Sequence, residues 1–246
     1  MHALLRLLAK RTPFVEAEIL GLDVVVQPGD VCLDIGAEYG IYSHALARLA
    51  GPNGTVHSVE PLPGAFRVLT AGLAVAGCRN VRCHQVALGE HAERGALSVP
   101  RRRGLPVHGR AFLVTGANGQ GPNTEFMSSR AVAVDVLTLD GLCARERIDR
   151  VDFVKADVEG AELPLLRGGE ATLTEHHPTL LLEIEERHAR KYEVDAVAVA
   201  DWLTARGYRM QIWRNGAWQI ADRVTATRRN YLFTHPHRME LARELP

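Results

Sequence analysis

The chain has 246 residues, 46% of them hydrophobic and 24% charged, with 29 basic and 29 acidic side chains and a formal net charge of zero. This composition suits a soluble globular protein that buries a large core, and it excludes a global electrostatic draw toward nucleic acid or an anionic membrane. No run of about eighteen apolar residues occurs, so no transmembrane helix is expected. The cysteines Cys32, Cys78, Cys83 and Cys143 form no CxxC pair and no Cys/His finger, which reads as reduced thiols of a cytoplasmic protein.

The N-terminal Met1-His-Ala-Leu-Leu-Arg-Leu-Leu-Ala-Lys-Arg has no basic region ahead of its apolar part and no small-residue cleavage site behind it. It reads as a short amphipathic helix, with a second helix starting near Thr12-Pro13. Residues 1–22 are therefore expected to be an N-terminal helical extension, and 23–246 one α/β domain. An extension of this kind packs over a cofactor pocket or on another subunit, which leaves a homodimer open.

Val31-Cys-Leu-Asp-Ile35 is a short apolar run suited to a buried parallel strand. A turn with Gly36 and Gly40 follows, and then Ile41, Ala45, Leu46 and Leu49 at helical spacing. Strand, glycine turn and helix let a backbone approach a ligand closely while helix amides point toward it. The next strand candidate, Thr55-Val-His-Ser-Val-Glu60, ends in a carboxylate placed to hold ribose hydroxyls. Glu38 occupies the turn where a dinucleotide fold has the glycine that admits pyrophosphate, and a carboxylate there repels phosphates. The cofactor that fits is a nucleoside without phosphate and with positive charge, S-adenosyl-L-methionine. The segment Asp34-Ile-Gly-Ala-Glu-Tyr-Gly-Ile-Tyr-Ser43 resembles the first motif of class I methyltransferases.

Residues 61–76 carry Phe66, Leu69, Leu73 and Ala76 on one helical face, and Val81 to Val86 reads as a third strand. Ala87-Leu88-Gly89 follows, placed to lie near an adenine ring. From 90 to 130 the pattern dissolves into prolines, glycines and Arg101-Arg102-Arg103, which predicts a long inserted loop acting as a substrate-side flap or a solvated insertion. Regular structure resumes over 132–140. Val151 to Asp157 is a fourth core strand and Thr179 to Glu185 a fifth. A helix over 194–206 stops at Gly207, and strands over 208–213, 218–220 and 231–234 follow, with Gly216 turning the first pair into a hairpin. The fold class is a single Rossmann-like domain with a mostly parallel central sheet, an antiparallel C-terminal strand and helices on both faces.

Ligands of open α/β sheets sit beyond the carboxyl ends of the strands. That edge gathers Asp34 to Gly40, Glu60, Ala87-Leu88, Asp157 to Glu159 and Glu183 to Glu185, with Lys155 on the same strand face as Asp157. So many carboxylates require a cation: the cofactor's own charge, Lys155, or Mg2+ held by Asp157 and Glu183. The competing reading has Lys155 neutralising Asp157 and Glu183 capping something local. His188, three residues after Glu185, is a further base candidate, although a histidine in such a loop is commonly just solvated.

The blocks Asp34-Ile-Gly-Ala-Glu-Tyr-Gly40, Val59-Glu-Pro-Leu-Pro63, Val86-Ala-Leu-Gly89, Leu137-Thr-Leu-Asp140, Lys155-Ala-Asp-Val-Glu-Gly-Ala-Glu162, Pro178-Thr-Leu-Leu-Leu-Glu-Ile184 and Asn230-Tyr-Leu-Phe233 resemble, in order, the FkbM family of S-adenosylmethionine-dependent methyltransferases. The resemblance runs from about Gly29 to Thr234. It departs at Glu38, where the family commonly has an amide or small residue, and over 90–130. It implies O-methylation of a hydroxyl on a sugar, polysaccharide, glycolipid or polyketide. It also implies a cofactor held by Asp34, Gly36, Glu38, Gly40, Ser43, Glu60, Pro61, Ala87 and Leu88, with the chemistry on Lys155, Asp157, Glu159 and Glu183. An alcohol needs a base within hydrogen-bond reach or a metal that acidifies it. The expected partner is a small-molecule or oligosaccharide substrate and not nucleic acid, since neither an (Asp/Asn)-Pro-Pro-(Tyr/Phe) motif nor a Pro-Cys dipeptide is present. A non-catalytic S-adenosylmethionine-binding module is the remaining alternative.

Overall fold

The apolar runs become the middle of a sheet because helices cover both of its faces. The structure, a computed structural model, describes residues 16–103, 105–117 and 128–238. The helix expected over 1–11 and the Thr12-Pro13 start lie outside the described residues. The strands are β1 (Val31–Ile35), β2 (Thr55–Val59), β3 (Val81–His84), β4 (Ala87–Leu88), β5 (Glu93–Arg102), β6 (Leu105–Pro106), β7 (Phe112–Leu113), β8 (Ser128–Leu137), β9 (Phe153–Ala156), β10 (Thr179–Glu183), β11 (Arg209–Arg214), β12 (Ala217–Ile220) and β13 (Asn230–Thr234). The helices that matter below are α1 (Leu22–Val25), α2 (Ile41–Ala50), α3 (Pro63–Val75), α4 (Leu139–Glu146), α5 (Glu162–Arg167), α6 (Glu170–His176), α7 (Glu186–Ala189) and α8 (Ala196–Thr204).

Eight strands form the central sheet in the order β12-β11-β13-β10-β9-β1-β2-β3. From β10 to β3 the pairings are parallel, and β13 is inserted antiparallel between β10 and β11. Successive side chains of a strand face opposite sides of the sheet. Leu180 and Leu182 accordingly join Leu139, Leu163, Val199 and Leu203 on one face, whereas Leu181 joins Ile19, Leu22 and Leu46 on the other. Tyr231 and Phe233 part from Leu232 in the same way. Each such buried side chain contributes about 1.5–3 kcal/mol relative to exposure.

Local chemistry ends the helices where expected. Thr138 caps α4 by accepting from the Gly141 N–H at 2.9 Å, and Asp195 caps α8 through the Val197 N–H at 2.8 Å. Asp140 reaches across to accept from the Ala171 and Thr172 N–H groups and so holds the start of α6. Asn215 and Gly216, both at positive φ, form the two-residue turn between β11 and β12.

One expectation is overturned. The segment 90–130 contains β5, β6 and β7, and β5 pairs antiparallel with β8 from Glu93↔Val136 to Arg101↔Ser128. Together with β4 they form a second, five-stranded sheet. Leu97, Val99, Val134 and Val136 pack on Leu62 and Ala65 at the start of α3. Gly95, Pro100 and the arginines hide the strand alternation in the sequence, and the partners of Leu97 and Val99 lie 35 and 31 residues away, beyond any local pattern.

Candidate active site

The loop from Gly36 to Gly40 is shaped by a contact with the end of β9, the strand paired directly to β1. The Asp157 N–H donates to the Ile35 carbonyl at 3.0 Å, extending the β1–β9 pairing past the strand ends. This brings the Asp157 carbonyl against Gly36, whose φ of 78° and lack of a Cβ are both required; any side chain would collide with that carbonyl. Gly160, at φ 106°, meets the His188 backbone just as closely. Glu38 and Glu159 are non-glycine residues also held at positive φ, a conformation that persists where the surroundings enforce it.

Two cavities lie on either side of the Gly36–Asp157 contact. The first encloses about 680 Å³, part of it open to solvent, between apolar walls that include Val59, Val86, Ala87, Leu88 and Leu97. Glu60 and Pro61 stand in its wall, and His108, Gly109, Ala111 and Leu113 from the second sheet roof it. The second, about 650 Å³, is lined by Glu16, Asp34, Glu38, Asp157, Lys155, Tyr39 and Tyr42 among others. Gly36, Glu38 and Asp157 line both cavities.

Glu60 is buried and accepts from the Leu62 N–H at 2.7 Å and the Glu38 N–H at 3.1 Å. Burial pushes its carboxyl up to about 7 against those two N–H groups. A carboxylate has about four acceptor positions, so two remain for a pair of hydroxyls. Asp34 takes the Ser43 hydroxyl at 2.5 Å, and Ser43 in turn accepts from Ser58 at 2.7 Å. Burial raises Asp34 to about 6, opposed by Ser43 and Lys155. Ser43 and Gly40 line neither cavity: Ser43 is sealed behind Asp34, and Gly40 is pressed against Leu69.

The four residues expected to carry the chemistry differ in their surroundings. Lys155 is fully buried, 5.2 Å from the centre of the Tyr42 ring, and its ammonium donates to the Ala156 carbonyl at 3.2 Å. Burial favours its neutral form, but the carboxylates of Asp157, Glu16, Glu183 and Asp34 outweigh that and raise its pKa, so it stays a cation. Glu183 lines neither cavity. Burial and the charge of Asp157 push its carboxyl well up, and it shares its proton with Glu185. Burial works against ionising Glu185, yet Arg187, at 2.5 and 2.9 Å, and the Glu183 hydrogen bond hold it low.

Glu159 lines the first cavity and is raised by burial and by Asp157. Its Oε2 lies 2.8 Å from His188 Nδ1 and 3.7 Å from Lys191 Nζ, close in charge terms but without an aligned hydrogen bond. His188 is not solvated: it is buried on α7, and burial holds its imidazole neutral, near 3.

A magnesium ion does not fit the expected pair. Glu183 lines neither cavity whereas Asp157 lines both, and the buried Lys155 ammonium is the cation that their charges act on. Among the described residues no three His, Cys, Asp or Glu side chains gather to hold a metal. Nor is any described helix long and apolar enough to cross a membrane. Sequence reasoning missed Glu16, Tyr42, Arg110 and Lys191. Lys191 sits in a run, Arg187 to Lys191, that reads as a solvated charged face, yet its side chain is wholly buried.

A parallel sheet continued by an antiparallel insertion, with cavities beyond its carboxyl edge, defines a Rossmann-like class I methyltransferase fold. A solved FkbM methyltransferase from Methylobacillus flagellatus KT superposes with a TM-score of 0.52 at 18% identity, over 84% of this chain and 43% of that one. Methyltransferase 1 of Beauveria bassiana (strain ARSEF 2860) is 29% identical over 153 residues, 59% of this chain and 61% of the fungal protein. The chain thus spans under two thirds of each of these relatives. Residues 34–210 match the methyltransferase FkbM domain, and the chain belongs to the FkbM methyltransferase family.

Proposed function

We propose that the protein is an S-adenosylmethionine-dependent O-methyltransferase acting on a hydroxyl of a sugar, an oligosaccharide or polysaccharide, or a glycosylated metabolite. The observation that carries this reading is the meeting of two cavities at one turn, where Gly36, Glu38 and Asp157 line both. Adenine suits the apolar walls by Val59, Val86, Ala87 and Leu88, and the free acceptor positions of Glu60 suit ribose hydroxyls. Four carboxylates and one ammonium line the second cavity, which complements an ammonium and a sulfonium.

When bound, the cofactor supplies an electrophilic methyl group on a cationic sulfur. The chain's part is to align the acceptor oxygen and to take its proton. Asp157 is the residue we assign as base: it lines both compartments, and it would take the proton of the acceptor hydroxyl as the C–O bond forms and the methyl–sulfur bond of the cofactor breaks. Glu183 is excluded from that role by the proton it already holds, and Lys155 by its charge. Lys155 instead supplies a buried positive charge to this carboxylate-rich end of the sheet. Tyr39, Tyr42 and Glu16 offer hydrogen-bonding groups to a polyhydroxyl acceptor. Ile19 and Ile41 in the same wall favour, as a second reading, a natural-product hydroxyl such as that of a polyketide.

The test has two stages. Calorimetric titration with S-adenosylhomocysteine checks the cofactor, and NADH binding in its place would end the reading. A panel of sugars and glycosides with labelled methyl donor then identifies the acceptor. Transfer to nucleic acid alone would replace the carbohydrate assignment.

A further inference from the structure

The roof of the first cavity is fastened to the rest of the molecule at consecutive points, all on one short segment. Arg110 Nη1 lies 2.8 Å from His188 Nε2. The ammonium of Lys191 stands 4.5 Å from the centre of the Phe112 ring. The Tyr192 hydroxyl donates to the Leu113 carbonyl at 2.7 Å. Residues 110–113 of the second sheet are thereby stitched to residues 188–192, which follow β10 in the central sheet. The strap between these stitches contributes His108, Gly109, Ala111 and Leu113 to the cavity wall, opposite Glu60 and Glu159.

The chemistry of the first stitch is fixed by its atoms. A guanidinium has only donors, so His188 Nε2 must accept and the ring proton sits on Nδ1, facing Glu159 Oε2 at 2.8 Å. Lys191, whose side chain is wholly buried, donates to the Glu159 carbonyl at 3.1 Å and steadies the same residue from behind. His188 therefore has no lone pair free for an acceptor hydroxyl while Arg110 is in place.

We propose that Arg110 and His188 are positioning residues that clamp the 108–113 strap over the adenosyl half of the cofactor. This rests on the cofactor assignment above. The clamp acts on retention of the nucleoside and not on methyl transfer itself: cofactor and product pass the roof only when the Arg110–His188 bond opens. A histidine base would need the same nitrogen that the arginine occupies, so the two roles make opposite demands on position 188.

The experiment is calorimetric titration of the full chain with S-adenosylhomocysteine, paired with hydrogen exchange of the strap. Arg110→Ala and His188→Ala should each weaken binding about tenfold, the loss of one charge-assisted hydrogen bond, and speed exchange over 105–113 with the rest unchanged. His188→Gln keeps an acceptor without a titratable ring and should restore most of the affinity and strap protection. Tyr192→Phe removes the third stitch by a change of one atom and should loosen the strap by a smaller factor, which keeps the test informative where an alanine variant folds poorly. Wild-type binding left unchanged by Arg110→Ala and Tyr192→Phe overturns the clamp alone. Absence of wild-type binding overturns the cofactor assignment on which it stands. If His188→Gln binds normally but loses all transfer, His188 is a base and the clamp is wrong about it.

Discussion

Asp157 follows β9 and Glu183 ends β10, the neighbouring strand, yet the two carboxyls have different surroundings. Asp157 lines both cavities. Glu183 lines neither, is buried beside a carboxylate it hydrogen-bonds, and keeps its proton. Neighbouring places in a parallel sheet thus put one carboxyl in the walls of the site and leave the other behind it, its pKa raised by burial and by Asp157. What separates them is solvent and the partner each finds, not position along the strand.

The strongest test of that contrast is Asp157→Asn. It should lower kcat by about 10²–10⁴ while S-adenosylhomocysteine affinity changes only slightly; transfer within a few-fold of wild type would remove Asp157 as base. Gly36→Ala attacks the contact that places Asp157. A Cβ at positive φ against the Asp157 carbonyl should cost about 3 kcal/mol or more of stability, read as a lowered melting temperature with impaired cofactor binding.

Glu60→Ala removes acceptors from the first cavity and from the Leu62 and Glu38 N–H groups, and calorimetry should show about 10- to 100-fold weaker binding together with a lowered melting temperature. Because Glu60 titrates near 7, wild-type affinity should rise from pH 6 to pH 8 as the carboxylate forms, and Glu60→Gln should flatten that rise.

The smallest effect belongs to Glu183→Gln, whose transfer rate should stay within about twofold of wild type. Its signature is in stability. A raised folded pKa means that the folded state keeps a proton the unfolded chain releases, so this group's contribution is lost as pH rises from the ordinary carboxylate range toward the folded value. The wild type should therefore lose more melting temperature between pH 6 and pH 9 than the Gln variant does.

The central sheet could be read from the chain because its middle strands, β1, β2, β9 and β10, are local apolar runs closed by a turn or a helix start. Gly36, Glu60 and Asp157 could be read for the same reason, since they fall at strand ends. The second sheet could not. Leu97 and Val99 pair with Val132 and Arg130, 35 and 31 residues on, and Gly95 and Pro100 interrupt the alternation that would announce them. Lys191 and His188 look like part of a charged surface helix, but α7 is too short to have an outer face of its own and is covered by the strap. Glu183 was weighed as a ligand or base; its proton depends on Glu185, Arg187 and the depth of burial, which residue spacing does not encode.

Trp218 on β12 donates to the Gly21 carbonyl at 3.0 Å, across 197 positions of sequence, and Trp213 packs over the same glycine. The edge of the central sheet is thereby closed by the 3₁₀ turn that precedes α1. Contacts between such distant positions form late, because the intervening loop must close first. Removing the β11–β12 hairpin would uncover the Trp218-facing side of the turn that carries Ile19 and ends at Leu22, with aggregation as its outward sign.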